Sequence, residues 1–159
     1  MTNRQVLAIG CGAVALLFVG AIVAAFVFLW HVSQDPADVW VSVEGPPSVV
    51  VGEEFTLSVV VENQRQGDSF RLSDIDVAEA YLDGFLILGT EPGARSSMHV
   101  PIDDTRSFHF DVRIPARATR RFDFRLRPVD SGIFRGDVDV CEGARFLSTL
   151  AQTEVRSDS

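Results

Sequence analysis

The sequence has no lysine, three histidines (His31, His99, His109) and two cysteines (Cys11, Cys141). Without lysine, every basic side chain is a planar guanidinium. Zinc is poorly served: His31 borders an apolar N-terminal run, which leaves His99 and His109 to join one thiolate where a structural site needs four ligands. Copper fares no better. A blue-copper site takes two histidines and a cysteine, usually with a methionine a few residues on, but Cys141 is followed by Glu142, Gly143, Ala144, Arg145 and Phe146. Met98 and His99 are adjacent, so a strand would send them to opposite faces. There is no Gly-x-Ser-x-Gly and no glycine-rich phosphate loop, so nothing marks a nucleophile or a nucleotide site. Basic charge is also short: 14 arginines face 22 acids, for a net charge of −8. Nucleic acid is therefore not an expected partner. The expectation is a non-catalytic chain without a cofactor.

One long apolar run dominates what is present. Val6 to Trp30 carries no charged side chain, and as a helix it would reach roughly 37 Å, enough for a hydrocarbon core of about 30 Å. Lipidation at Cys11 would leave only Val6 to Gly10 as the apolar lead-in, shorter than a secretory signal needs. Cleavage after Ala25 would be followed by Phe26-Val27-Phe28-Leu29-Trp30 where a polar stretch belongs. A span through the lipid bilayer accounts for more. Arg4 precedes the run, Trp30 ends it as an interfacial aromatic, and Asp35 and Asp38 follow. That orientation keeps the N-terminus cytoplasmic and places the rest in the periplasm or outside the cell. Ala8 with Gly12, and Gly20 with Ala24, are small residues four apart that would let a second helix approach closely, although small residues are common in any membrane helix. With Cys11 in the span and Cys141 beyond it, no intrachain disulfide is expected.

Past the span the apolar period becomes two. Val39, Val41 and Val43 alternate with Trp40, Ser42 and Glu44, and Phe55, Leu57, Val59 and Val61 with Thr56, Ser58, Val60 and Glu62. Phe108 to Ile114 and Phe122 to Leu126 repeat the pattern, Phe134, Val138 and Val140 continue it, and a last strand falls within Ala144 to Val155. Turn signals such as Gly45-Pro46-Pro47, Gln66-Gly67-Asp68, Asp83-Gly84, Asp130-Ser131-Gly132 and Glu142-Gly143 separate the runs. Leu72 to Leu88 reads as strand, turn, strand, with one helical turn over Ala78 to Leu82 as the alternative. The expected fold class is an all-β, immunoglobulin-like antiparallel β-sandwich preceded by one N-terminal transmembrane α-helix. Its parts would be a cytoplasmic stub (1–5), the span (6–30), a tether (31–37), the sandwich (38–156) and a tail (157–159).

Val39 to Asn63, "VWVSVEGPPSVVVGEEFTLSVVVEN", resembles the opening of bacterial adhesion-associated, CARDB-type immunoglobulin-like domains: a first strand, a proline kink, then a long second strand. Ile114 to Val140, "IPARATRRFDFRLRPVDSGIFRGDVDV", is similar to their back half. The resemblance implies a sandwich and carries no site residues across.

Two charged groupings are candidate sites. Asp137, Asp139 and Glu142 could offer oxygens to a calcium ion, with Asp103 and Asp104 as possible additions, or could be a solvated strand face. Arg121, Arg125 and Arg127 share one strand face, with Arg113 expected on a neighbouring strand. They could bind anionic headgroups or an acidic polymer, or pair across strands with the domain's acids. Cys141 shares strand parity with Asp137 and Asp139, whose charge would raise its pKa and quench it as a nucleophile. The reading is a membrane-anchored, extracytoplasmic binding or assembly module whose partner is another envelope protein. The alternative is an accessory subunit of an envelope enzyme or transporter.

Overall fold

The computed structural model describes residues 18–30 and 36–157. The chain divides into two compact units, one ending at Asp35 and one beginning at Pro36. In the first, residues 18–30 form helix α1, with every residue exposed and the rings of Phe26 and Trp30 6.4 Å apart. Gly20 and Ala24 lie one turn apart on it. Among the described residues, no helix is long and apolar enough to cross a membrane. The remainder of the expected span, with Ala8, Cys11 and Gly12, lies outside the described residues, as do residues 1–5 and most of the expected tether.

The second unit is the β-sandwich. Its strands are β1 (Val39–Glu44), β2 (Ser48–Val50), β3 (Phe55–Asn63), β4 (Phe70–Ala78), β5 (Phe85–Glu91), β6 (Ser96–Val100), β7 (Thr105–Ile114), β8 (Thr119–Pro128), β9 (Gly132–Glu142) and β10 (Arg145–Arg156), with a short helix α2 (Glu79–Leu82) between β4 and β5. A four-stranded sheet runs β1-β3-β8-β5, and a six-stranded sheet runs β2-β10-β9-β4-β7-β6. All pairings are antiparallel except that of β2 with β10.

The two-residue period dictates this arrangement, because each strand turns alternate side chains toward the opposing sheet. Consecutive strands β7 and β8 lie in opposite sheets, so their phenylalanines meet across the core. Phe108 packs edge-on to Phe124 at 5.0 Å, and Phe110 to Phe122 at 4.9 Å. The crossover between them is clamped by Asn63, fully buried at the end of β3, whose side-chain amide donates to the carbonyls of Ile114 and Pro115, both at 3.0 Å. That amide satisfies backbone acceptors that have left the sheet ladder, where an unpaired buried carbonyl would cost about 1–3 kcal/mol.

The uncertain stretch Leu72 to Leu88 resolves as strand, one helical turn, strand. Tyr81 in α2 is fully buried and its hydroxyl meets that of Thr153 at 3.0 Å. Gly136 on β9 makes room for that turn: a Cβ there would lie 2.7 Å from the Ala78 Cβ and 3.0 Å from the Tyr81 Cβ. Gly84, just after α2, lies under the Phe134 ring, which a Cβ would approach to 2.3 Å.

Candidate functional site

The charged residues divide between two outer faces and one end of the sandwich. On the four-stranded sheet, Arg121, Arg125 and Arg127 point outward from β8, as alternation requires. Arg121 pairs with Glu44 at 2.6 Å, Arg127 pairs with Glu54, and the Ser58 hydroxyl donates to Asp123 at 2.6 Å. Arg125 has no ion pair among the described residues. Arg113 is not on a neighbouring strand. It lies on β7 in the other sheet, opposite Arg71, because the chain changes sheets at Pro115. The expected four-arginine surface is thus three residues on one face, two of them ion-paired.

Glu142, expected beside Asp137 and Asp139, turns away from them. It has the opposite parity on β9, and Arg65, from the loop after β3, grips both its oxygens at 2.9 Å, with Arg145 bonding it from β10. The Arg65 guanidinium also sits 5.3 Å from the centre of the Phe70 ring. Burial alone would raise the Glu142 carboxyl, but the Arg65 bond, the backbone N–H of Arg71 and the charges of Arg65 and Arg145 hold it below its ordinary value. The Arg65 pair outweighs burial for the guanidinium as well, whose pKa is raised.

The acids that converge are others. On the outer face of the six-stranded sheet, Asp139 on β9 stands directly opposite Asp76 on β4, and Cys141 opposite Asp74. Asp76, Asp103, Asp137 and Asp139, with Cys141 and Phe146, line a hollow of 300 Å³. Desolvation raises the Asp139 carboxyl above its ordinary value despite a bond from Ser148, and Asp137, Asp76 and Asp103 push it further the same way. One oxygen of Asp139 and one of Asp76, the Oδ1 in each, are shut off from solvent and have no hydrogen-bond partner among the described residues. Burial and then Asp76 push the Cys141 thiol far up, which favours the protonated thiol over the thiolate, and its Sγ lies 3.5 Å from Asp76 Oδ2. Asp74 is engaged separately by His109 at 2.9 Å. Among the described residues, no group of three His, Cys, Asp or Glu could hold a metal ion. The calcium candidate therefore loses Glu142 to arginine and gains no metal geometry from Asp76 or Asp103. The sequence signal for Asp76 was its alternation with Ile75 and Val77, which placed it on an outer face without saying which strand it would meet.

No family profile matches the sequence, and no curated protein does. Solved structures do. A CARDB domain from Pyrococcus furiosus, determined in complex with di-metal ions, superposes with a TM-score of 0.51 at 16% identity, covering 74% of this chain and 92% of that one. The sandwich has the CARDB-type immunoglobulin-like fold. A solution structure of the same Pyrococcus furiosus domain gives a TM-score of 0.50 at 16% identity, over 77% and 97% of the two chains. A cohesin module from a Clostridium perfringens family 33 glycoside hydrolase gives 0.54 at 14% identity, over 77% and 100%. At such identities the likeness is one of fold. The metal ions belong to the Pyrococcus furiosus domain.

Proposed function

We propose that the protein is a single-pass, membrane-tethered binding module whose CARDB-type sandwich faces the periplasm or cell exterior and acts through its surface without catalysing a reaction. One observation carries the binding part: apolar side chains fill the space between the sheets, while Trp40, Met98, Ile133 and Phe146 stand at least half exposed on the outside. Phe146 and Leu150 lie close together on β10, on the outer face of the six-stranded sheet, and such an exposed apolar pair is available for a partner to cover. The tether rests on the charge-free run from Val6 to Trp30, bounded by Arg4 and Asp35. The partner is another envelope protein, and catalysis, if the assembly has any, belongs to that partner.

Two measurements test the reading. Protease added outside sealed cells should degrade the sandwich, and full protection until the cells are lysed would reverse the orientation. Gentle detergent extraction of the full-length chain should bring down a protein in fixed stoichiometry. A chain recovered alone at every detergent and salt condition would remove the binding role.

A further inference from the structure

The outer face of the six-stranded sheet combines features that a merely solvated face does not need. Its centre holds Asp76, Asp103, Asp137 and Asp139 around one hollow, and Asp76 and Asp139 are direct cross-strand neighbours. Like charges directly opposite are destabilising. The two unpartnered Oδ1 atoms add to that cost, since a buried acceptor without a donor forfeits its hydration. Among the described residues, none of the positive groups on this face lines the hollow: His109 bonds Asp74, Arg71 and Arg95 pair with Asp111, Arg113 stands opposite Arg71, and Arg135 lies on β9 opposite Gln152. Apolar side chains frame the acids. Phe146 and Leu150 on β10 stand beside Cys141 and Asp137 and are 51% and 44% exposed, while Met98 on β6 is 66% exposed.

We propose that this face docks a basic segment of a partner protein, with one arginine entering the hollow at Asp76, Asp103, Asp137 and Asp139 and its apolar neighbours covering Phe146 and Leu150. The inference rests on the binding-module reading and names its surface. Charge complementarity selects the occupant. A guanidinium supplies several donors in one plane for the carboxylates that line the hollow, and is weakly hydrated, so it loses little on entering a half-closed site. Its flat face can stack on Phe146. Among the described residues no group of three His, Cys, Asp or Glu is placed to hold a metal ion, so the lining acids are read as a charged surface.

The test uses the full-length chain in detergent and a fluorescent peptide, Leu-Arg-Leu-Arg-Leu, against its Leu-Glu-Leu-Glu-Leu counterpart. The arginine peptide should bind at least about tenfold tighter, and binding should weaken as salt is raised. Asp76→Asn/Asp139→Asn should lower its affinity about tenfold, while the melting temperature holds or rises because like charges have been removed. Phe146→Ser/Leu150→Ser, which leaves every carboxylate in place, should also weaken binding. Equal affinity for both peptides, or for wild type and the asparagine variant, overturns the inference. So does a calcium-dependent rise in melting temperature that the asparagine variant abolishes, which would make the hollow a metal site. Partner capture from membranes separates the two levels. A partner retained equally by wild type and the asparagine variant leaves the module reading standing and rejects this face; capture by neither rejects both.

Discussion

Asp139 and Glu142 stand three residues apart on the same strand, carry the same chemical group and are both partly buried, yet their surroundings drive them in opposite directions. Glu142 ends β9 facing Arg65 and Arg145, and its carboxyl is held below its ordinary value although burial works against this. Asp139 faces Asp76, Asp137 and Asp103, and burial and charge together raise it. The difference lies in strand parity: one residue's shift exchanges a face with guanidinium donors for one with carboxylates. A paired acid holds a loop to a strand; an acid among acids stores unfavourable energy that a visiting cation would release.

The comparison is broken most severely by Arg65→Ala. The side chains of Arg65 and Glu142 are 17% and 15% exposed, so removing the cation strands a poorly hydrated carboxylate and frees the loop after β3. A loss of about 2–3 kcal/mol is expected in urea unfolding, with Arg65→Ala/Glu142→Gln recovering part of it because no bare charge remains. If the double variant is no better than the single, the cost is lost packing on Phe70 and not the unpaired charge.

Asp139→Asn works the other way. It removes a charge directly opposite Asp76, so stability should rise by about 0.5–1 kcal/mol at neutral pH. The gain depends on pH with a definite sign. A carboxyl whose folded-state pKa is raised contributes stability that is present below its unfolded value and lost as pH rises through the folded one. The advantage of the asparagine variant should therefore fade as pH falls through the raised value of Asp139. Glu142, lowered in the fold, should give Glu142→Gln a deficit at neutral pH that persists until the medium is more acidic than an ordinary glutamate requires. Parallel pH courses for the two variants would mean that the two surroundings do not differ as described.

Much of this was legible from alternation alone. The faces of β3, β7, β8 and β9 follow from residues that repeat every second position, and the core phenylalanines were placed by the same period. The short strands were not. β2 has three residues and is ordered by parallel pairing to the end of β10, and β6 presents mostly exposed residues with no apolar face to read. Helix α2 depends on contacts distant in sequence: the Glu79 N–H donates to the Asp104 carbonyl, and Tyr81 is held under Thr153. At the site, parity placed Asp137 and Asp139 together. That Asp76 would stand opposite Asp139, and that Arg65 would claim Glu142, are matters of register between strands, which no local pattern encodes.

The arginines of β8 provide the mildest test. Arg125 shares an exposed strand face with the ion-paired Arg121 and Arg127 and makes no ion pair among the described residues, so Arg125→Ala should change stability by no more than about 0.5 kcal/mol in either direction. Arg121 and Arg127 pair with Glu44 and Glu54 at exposed sites where water screens both partners, so their loss should be nearly as quiet. Arg65 is the same residue type with the same kind of partner, and the two differ in how much water reaches the pair. If Arg125→Ala or Arg121→Ala proved as damaging as Arg65→Ala, solvent exclusion would not be what separates the end of the sandwich from its flank, and the stored-energy account of the acidic face would lose its physical basis as well.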